Sequence, residues 1–217
     1  MGYMAGLVER VRWLGHAGMA VDLPPLLVID PYDITGDPRK KAGIILVTHS
    51  HYDHLDPASI GKISGPDTVL VAPAECLAKL PGNTRPISPG QSMKIGEVEI
   101  EAVPAYNINK KFHPRKNGWV GYIVRFGGES IYHAGDTDLI PELEGIKCDI
   151  AVLPVSGIYV MTAEEAAEAA GRIRPRFAIP MHYGSVAGTR ADAERFKALC
   201  RPGVGVRMPP KSGLSDG

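Results

Sequence analysis

The sequence predicts a mixed α/β (α+β) fold, two β-sheets with helices on their outer faces. Three observations carry this. Residues 92–133 read as a meander of short strands, and residues 150–208 alternate strand with helix. Several apolar runs also stop at histidine or aspartate, so strand ends gather at a place suited to chemistry. A length of 217 residues suits one domain with an ample core, expected over 1–208, followed by a flexible tail over 209–217.

Taken in order, residues 7–14 end at Gly15-His16-Ala17-Gly18 and residues 19–23 return, which predicts a β-hairpin with His16 near its turn. Leu26-Leu27-Val28-Ile29 is a buried strand that stops at Asp30-Pro31, because proline cannot donate to a ladder. A loop with Asp33, Gly36, Asp37 and Pro38 leads to a buried strand over 44–48. Asp56-Pro57 reads as an N-cap and first-turn proline, opening a short helix to about Lys62. A strand over 68–72 and a helix over 73–80 follow. Around Gly96, residues 92–95 and 97–103 form strands. In the second, Val98, Ile100 and Ala102 alternate with Glu97, Glu99 and Glu101, as on a half-exposed strand. Residues 104–118 are a long polar loop, and such loops inside a compact domain are usually functional or disordered. Strands resume over 119–126 and 130–133, the latter ending in Gly135-Asp136-Thr137-Asp138, and again over 150–154. Thr162-Ala163-Glu164-Glu165 is a capping box that opens an alanine-rich helix to about Ile173. A strand over 176–180 runs into Met181-His182-Tyr183. A helix over 190–199 and a strand over 204–208 complete the order.

The bulk properties exclude several classes. The apolar fraction is 44%, the charged fraction 22% and the formal net charge zero, so neither nucleic acid nor an anionic membrane is an expected partner. No apolar stretch reads as a secretion signal or a membrane span, and the expected location is cytoplasmic. Cys76, Cys148 and Cys200 are odd in number and widely spaced, which suits reduced buried thiols rather than a disulfide framework.

Three of the seven histidines lie in His49-Ser50-His51-Tyr52-Asp53-His54. Residues two apart on an extended segment share a face, so His49 and His51 can point together. The turn before Asp56 then brings round Asp53 and His54. Imidazole and carboxylate without thiolate suit zinc, iron or manganese. Asp136 and His182 each follow a strand. Singly, such residues are more often a plain turn and a surface or satisfied histidine.

Taken together the pattern resembles the metallo-β-lactamase superfamily, and most of all its small "metal-dependent hydrolase" branch, similar to ascorbate-6-phosphate lactonase. The likeness spans nearly the whole chain and rests on Trp13-Leu14-Gly15-His16-Ala17-Gly18, Ile29-Asp30-Pro31, the His49 to His54 motif, Tyr132-His133-Ala134-Gly135-Asp136-Thr137 and Pro180-Met181-His182-Tyr183-Gly184. It implies a four-layer αββα sandwich and two divalent metal ions, zinc first with manganese or iron as alternatives. One ion would take His49, His51 and a third ligand, the other Asp53, His54 and His182, with Asp136 bridging. It implies a hydrolase that uses a metal-bound hydroxide on a small lactone, ester or phosphoester.

One position departs from the family pattern. Tyr106-Asn107 stands where an intermediate histidine is usual. Either His113 swings in from the loop, or Asn107 ligates, or one metal position is incomplete. A closed first site wants a third imidazole, which favours His113. A leaving group needs a proton from Asp53, His16 or a bound water, and His16 could equally contact substrate or a ligand. Asn107, Lys110, Lys111 and Arg115, with Lys116 beside them, are the candidate substrate-binding residues. They would favour an anionic, phosphorylated small molecule, against the plainer reading of a solvated basic loop. A metal-binding sensor or scaffold without turnover and a phosphodiesterase of the same superfamily are the alternatives. A homo-oligomer is left open.

Overall fold

Each of two β-sheets is built from one contiguous half of the chain in the computed structural model, which describes residues 6–36, 38 and 40–214. The first half gives β1 (Val11–Gly15), β2 (Gly18–Val21), β3 (Leu27–Ile29), β4 (Ala42–Leu46), α1 (Pro57–Ile63), β5 (Ser64–Ala72) and β6 (Asn83–Pro86). The second gives β7 (Ser92–Ile95), β8 (Val98–Pro104), β9 (Val120–Phe126), β10 (Glu129–His133), β11 (Ile150–Pro154), α2 (Ala163–Ile173), β12 (Phe177–Met181), α3 (Arg190–Leu199) and β13 (Gly205–Val206). The halves share a plan, since each sheet lays its strands in sequence order. In each, antiparallel strands come first (β1 to β3, β7 to β10) and parallel ones follow (β3 to β6, β10 to β13).

Alternation along the buried strands separates two cores. On β4, Ile44 and Leu46 join the larger core, which holds residues of both sheets such as Met19, Val71, Ile100 and Tyr122. Ile45 and Val47 face the other way, onto Ile60 and Ile63 of α1. A strand covered on both faces reads as a continuous apolar run, as this one does. The second sheet is covered by α2 and α3. Helix α2 buries Ala163, Ala166, Ala167, Ala170 and Ile173, the spacing of one helical face. The result is the expected αββα sandwich. Burial pushes the Cys76 and Cys148 thiols up to about 12 and that of Cys200 to about 11, and all three are free.

Helix starts follow the sequence closely. The Asp56 carboxylate accepts from the Ala58 amide at 3.0 Å. Thr162 and Glu165 exchange both capping-box bonds, at 3.1 and 2.8 Å. Other elements differ from expectation. The helix expected over 73–80 is a 3₁₀ helix, Ala74–Lys79. Strand β6 was not expected, because Asn83-Thr84-Arg85-Pro86 has no apolar alternation. It is a sheet edge, where proline is tolerated. The flexible tail also needs correcting. Lys211 bridges to Trp13, the Ser212 amide donates to the Trp13 carbonyl at 2.9 Å, and Leu214 is buried in the smaller core. Residues 1–5 of the expected domain and 215–217 of the expected tail lie outside the described residues, as does Asp37.

Candidate metal centre

The chain leaves β4 and carries the histidine motif across the end of both sheets. Asp30, just past β3, anchors it. Its buried carboxylate accepts from the Thr48 amide at 2.8 Å and the Thr48 hydroxyl at 2.6 Å, and meets His54 Nδ1 at 2.8 Å. The second sheet grips the same segment, because the Val120 amide donates to the Thr48 carbonyl at 3.2 Å.

These contacts orient the imidazoles. Since the Thr48 hydroxyl donates to Asp30, it accepts from His49 Nδ1 at 2.9 Å, leaving Nε2 with a lone pair. His54 likewise donates Nδ1 to Asp30 and turns Nε2 inward. His182 follows β12 and has Ser156 Oγ at 3.1 Å from its Nδ1. His113 is held by Asn107, whose Oδ1 accepts from the His113 amide at 2.9 Å and from Nδ1 at 3.1 Å. A partner on one ring nitrogen that fixes the tautomer and aim of the other is the usual support of a metal-binding histidine.

Asp136 lies at the centre. Its Oδ2 is 3.2 Å from both His113 Nε2 and His182 Nε2 and 3.9 Å from His49 Nε2, while Oδ1 is 3.3 Å from His54 Nε2. Gly135 makes this position reachable. Its φ is +61°, and a Cβ there would stand 2.7 Å from the Val120 carbonyl oxygen. His51 Nδ1 comes within 3.1 Å of His49 Nε2. Within each of three groups the ligand atoms lie within 4.8 Å of one another: His49, His51 and His113; His16, Asp53, His54 and His182; and His49, His54 and Asp136.

The fit to a cation rests on orphaned atoms. The Nε2 atoms of His54, His113 and His182 and Oδ1 of Asp136 are buried with no hydrogen-bond partner. Their 3.2–3.3 Å approaches are close in distance but not aligned as hydrogen bonds. Leaving each unpaired costs about 1–3 kcal/mol, and a shared divalent ion removes the deficit. Burial lowers His49 well below the usual histidine range, helped by the neighbouring His54. Burial also acts to lower His54, but Asp136 and Asp30 outweigh it and hold this imidazole well above that range. Burial works against the Asp136 carboxylate, yet His182 and His54 bring it well below the usual range.

His16 stands behind Asp53, its Nε2 2.9 Å from Asp53 Oδ2 and its ring 4.1 Å from that of His182. Burial, the largest influence, lowers His16. Asp53 feels burial in the opposite sense, but the His16 hydrogen bond and the His54 charge bring it to about 2. The His16 carbonyl accepts from the His182 amide and from Trp13 Nε1, both at 2.9 Å, so hairpin and β12 end are tied together.

A cavity of about 260 Å³ opens on the cluster. His51, Asp53, His113 and Asp136 line it, and Tyr52, Phe112, Tyr159 and Val186 complete its walls. None of the expected substrate-binding residues lines it. The Asn107 carboxamide is engaged with His113, with Asp138 at 3.1 Å and with the Tyr159 carbonyl at 2.9 Å. Lys110 pairs with buried Asp138 at 2.6 Å and Arg115 with Glu142 at 2.9 Å, while Lys111 is exposed. For Lys110 and Arg115 the reason is charge pairing with acids beyond the loop, invisible to a count of its cations. The structure thus brings together His49, His51, Asp53, His54, His113, Asp136, His182 and His16, and keeps Lys110, Lys111 and Arg115 apart from them.

Sequence reasoning missed several supporting residues. Asp30 read as a strand stop and Asp138 as part of the turn after a strand, and Ser156 was not singled out. Trp119 read as the start of a strand, yet its ring lies 4.8–5.4 Å from those of His49, His51 and His113 and walls that trio. The Asp136-Thr137-Asp138 string was the available signal for Asp138. Nothing local marks Ser156.

The sequence profile of the β-lactamase superfamily domain matches residues 10–182, a span that holds every residue of the cluster. A UPF0173 metal-dependent hydrolase of Pyrococcus furiosus is 36% identical over 207 residues, covering 88% of this chain and 91% of its own. One of Thermoplasma volcanium is 36% identical over 203 residues, covering 88% and 90%. Among solved structures, a candidate metal-dependent hydrolase of Parabacteroides distasonis superposes with a TM-score of 0.82 at 35% identity, covering 92% and 91%. A metallo hydrolase of Ignicoccus hospitalis, at 23% identity, shares the fold with a TM-score of 0.73 over 92% and 94%.

Proposed function

The chain belongs to the β-lactamase superfamily, as one of its metal-dependent hydrolases, and from that premise we propose that it is a dinuclear enzyme acting on a small lactone, ester or phosphoester. In this reading His49, His51 and His113 hold one cation, Asp53, His54 and His182 hold a second, and Asp136 serves both. The observation that carries it is the convergence of buried, unpartnered Nε2 atoms of His54, His113 and His182 on the Asp136 carboxylate. Zinc is the first choice, with manganese or iron suited to the same donors. Two such ions, when bound, supply Lewis acidity and bring the pKa of water towards neutrality.

The side chains do the rest. Asp30, Thr48, Asn107 and Ser156 hold imidazoles in the donor orientation. Asp53 borders the cavity as an anion, and His16 Nε2 keeps a proton against its Oδ2. We assign Asp53, positioned by His16, to take the proton that the attacking water releases and to pass it to the leaving oxygen. The reading makes the partner a small molecule and the setting cytoplasmic, in keeping with three free thiols. No helix among the described residues is long and apolar enough to cross a membrane.

Metal analysis with a turnover panel tests the proposal. The purified protein is expected to hold two equivalents of divalent metal, and His113→Ala to lose one. Chelation is expected to stop turnover and metal to restore it. Two bound equivalents with no turnover of any lactone, ester or phosphodiester would favour a binding role instead. A sensor that has lost turnover would find support in Asn107 standing where a ligand histidine is usual. That residue is engaged in holding His113, so no observation favours it.

A further inference from the structure

The walls of the cavity have a chemistry of their own. Phe112 and Tyr159 meet edge to face with ring centroids 4.7 Å apart, forming an aromatic corner opposite the metal cluster. Asn107 ties the two loops by donating to the Tyr159 carbonyl at 2.9 Å. Five large apolar side chains are strongly exposed among the described residues. Tyr52, 66% exposed, and Phe112, 48% exposed, line this cavity. Ile158 adjoins Tyr159, and Ile108 lies in the Phe112 loop. Neither Ile158 nor Ile108 lines the cavity itself, and Leu199 lies at the end of α3. Exposed apolar surface gathered at one pocket marks a binding site. Among the described residues no lysine or arginine lines the pocket; nearby Lys110 and Arg115 are paired, and exposed Lys111 lies outside the lining.

We propose that the substrate is an uncharged carboxylic ester or lactone whose apolar acyl or aryl group packs between Tyr52, Phe112, Tyr159 and Val186. This rests on the hydrolase reading above and narrows it. Water adds to the carbonyl carbon, the bond from that carbon to the alkoxy oxygen breaks, and the departing oxygen takes a proton, so no further reagent is required. A charge at the far end of the acyl chain would leave water for an aromatic wall with no counter-ion, which disfavours it. The cavity, at about 260 Å³, also lies at the small end of ligand sites, which suits a short chain or a single ring.

Two esters of equal acyl length separate the possibilities, p-nitrophenyl hexanoate and mono-p-nitrophenyl adipate, which differ in one distal carboxylate. The zinc-loaded protein is expected to prefer the hexanoate by about tenfold or more in kcat/KM. Phe112→Ala is expected to raise KM for the hexanoate about tenfold and narrow that preference, with bound zinc unchanged and Phe112→Leu retaining most of it. Lys111→Ala is expected to leave both esters unaffected. Equal or reversed preference, or a Phe112→Ala variant with unaltered KM, would overturn the proposal. Absence of chelator-sensitive turnover of these esters and of bis-p-nitrophenyl phosphate would instead remove the hydrolase reading. Calorimetry with hexanamide and adipamate reads the wall separately, and tighter binding of adipamate would sink the apolar assignment on its own.

Discussion

The Asn107 carboxamide has both lone pairs and both protons engaged, and His113 takes the lone pairs. Asn107→Ala is therefore expected to lower metal affinity by about 10–100-fold, the usual cost of losing a partner of a ligating histidine. A competitive chelator titration measures this, and circular dichroism checks that the fold is kept. Asp30 stands in the same relation to His54, with Thr48 added. Its backbone, like those of His16 and His182, is left-handed, with φ of +47°, +52° and +61°. Such strain in non-glycine residues costs of order 1–3 kcal/mol each and persists only where the surroundings enforce it. These facts divide what was legible in the sequence from what was not. His49, His51, Asp53 and His54 announce themselves by type and spacing. Asn107 and Asp30 act through partners six and twenty-four residues away, and their backbone angles and bond directions come from the folded state.

At the scale of elements, most strands were readable because burial on two faces writes continuous apolar runs, as on β4 and β11. Strand β6 was not, since a polar edge carries no such pattern. Helix α2 was readable from its capping box, and Thr162→Ala is expected to lower stability by about 1 kcal/mol. In a chain of this length that is a fall in Tm of roughly 2–4 °C, read by calorimetry, with metal content unchanged. Gly135→Ala is expected to behave differently. The substitution places a Cβ against the Val120 carbonyl and meets a left-handed backbone, so it displaces the turn that carries Asp136. Stability is expected to fall by at least about 1–3 kcal/mol with loss of bound metal, measured by urea unfolding and elemental analysis.

For the whole molecule, the two-sheet architecture was legible from the order of meander and alternation, whereas the sharing of the site between halves appears only in three dimensions. His49, His51, Asp53 and His54 come from the half that builds the first sheet; His113, Asp136 and His182 come from the other. On the dinuclear proposal, ions bound there would hold the native state and not the separated chain, each contributing about 2.7 kcal/mol at a hundredfold excess over its Kd. Chelation is accordingly expected to lower Tm by roughly 10–20 °C if both ions leave, and added zinc to restore it. The division of the ligands also bears on kinetics. A donor set drawn from both halves is complete only after the sheets have docked, so its bonds belong to the last step of folding and the first of unfolding. Interactions absent from the transition state slow unfolding and leave the folding rate alone. In a chevron plot zinc is expected to leave the refolding arm in place and to move the unfolding arm down, so that the metal acts as a latch on a closed sandwich rather than as a seed for its assembly.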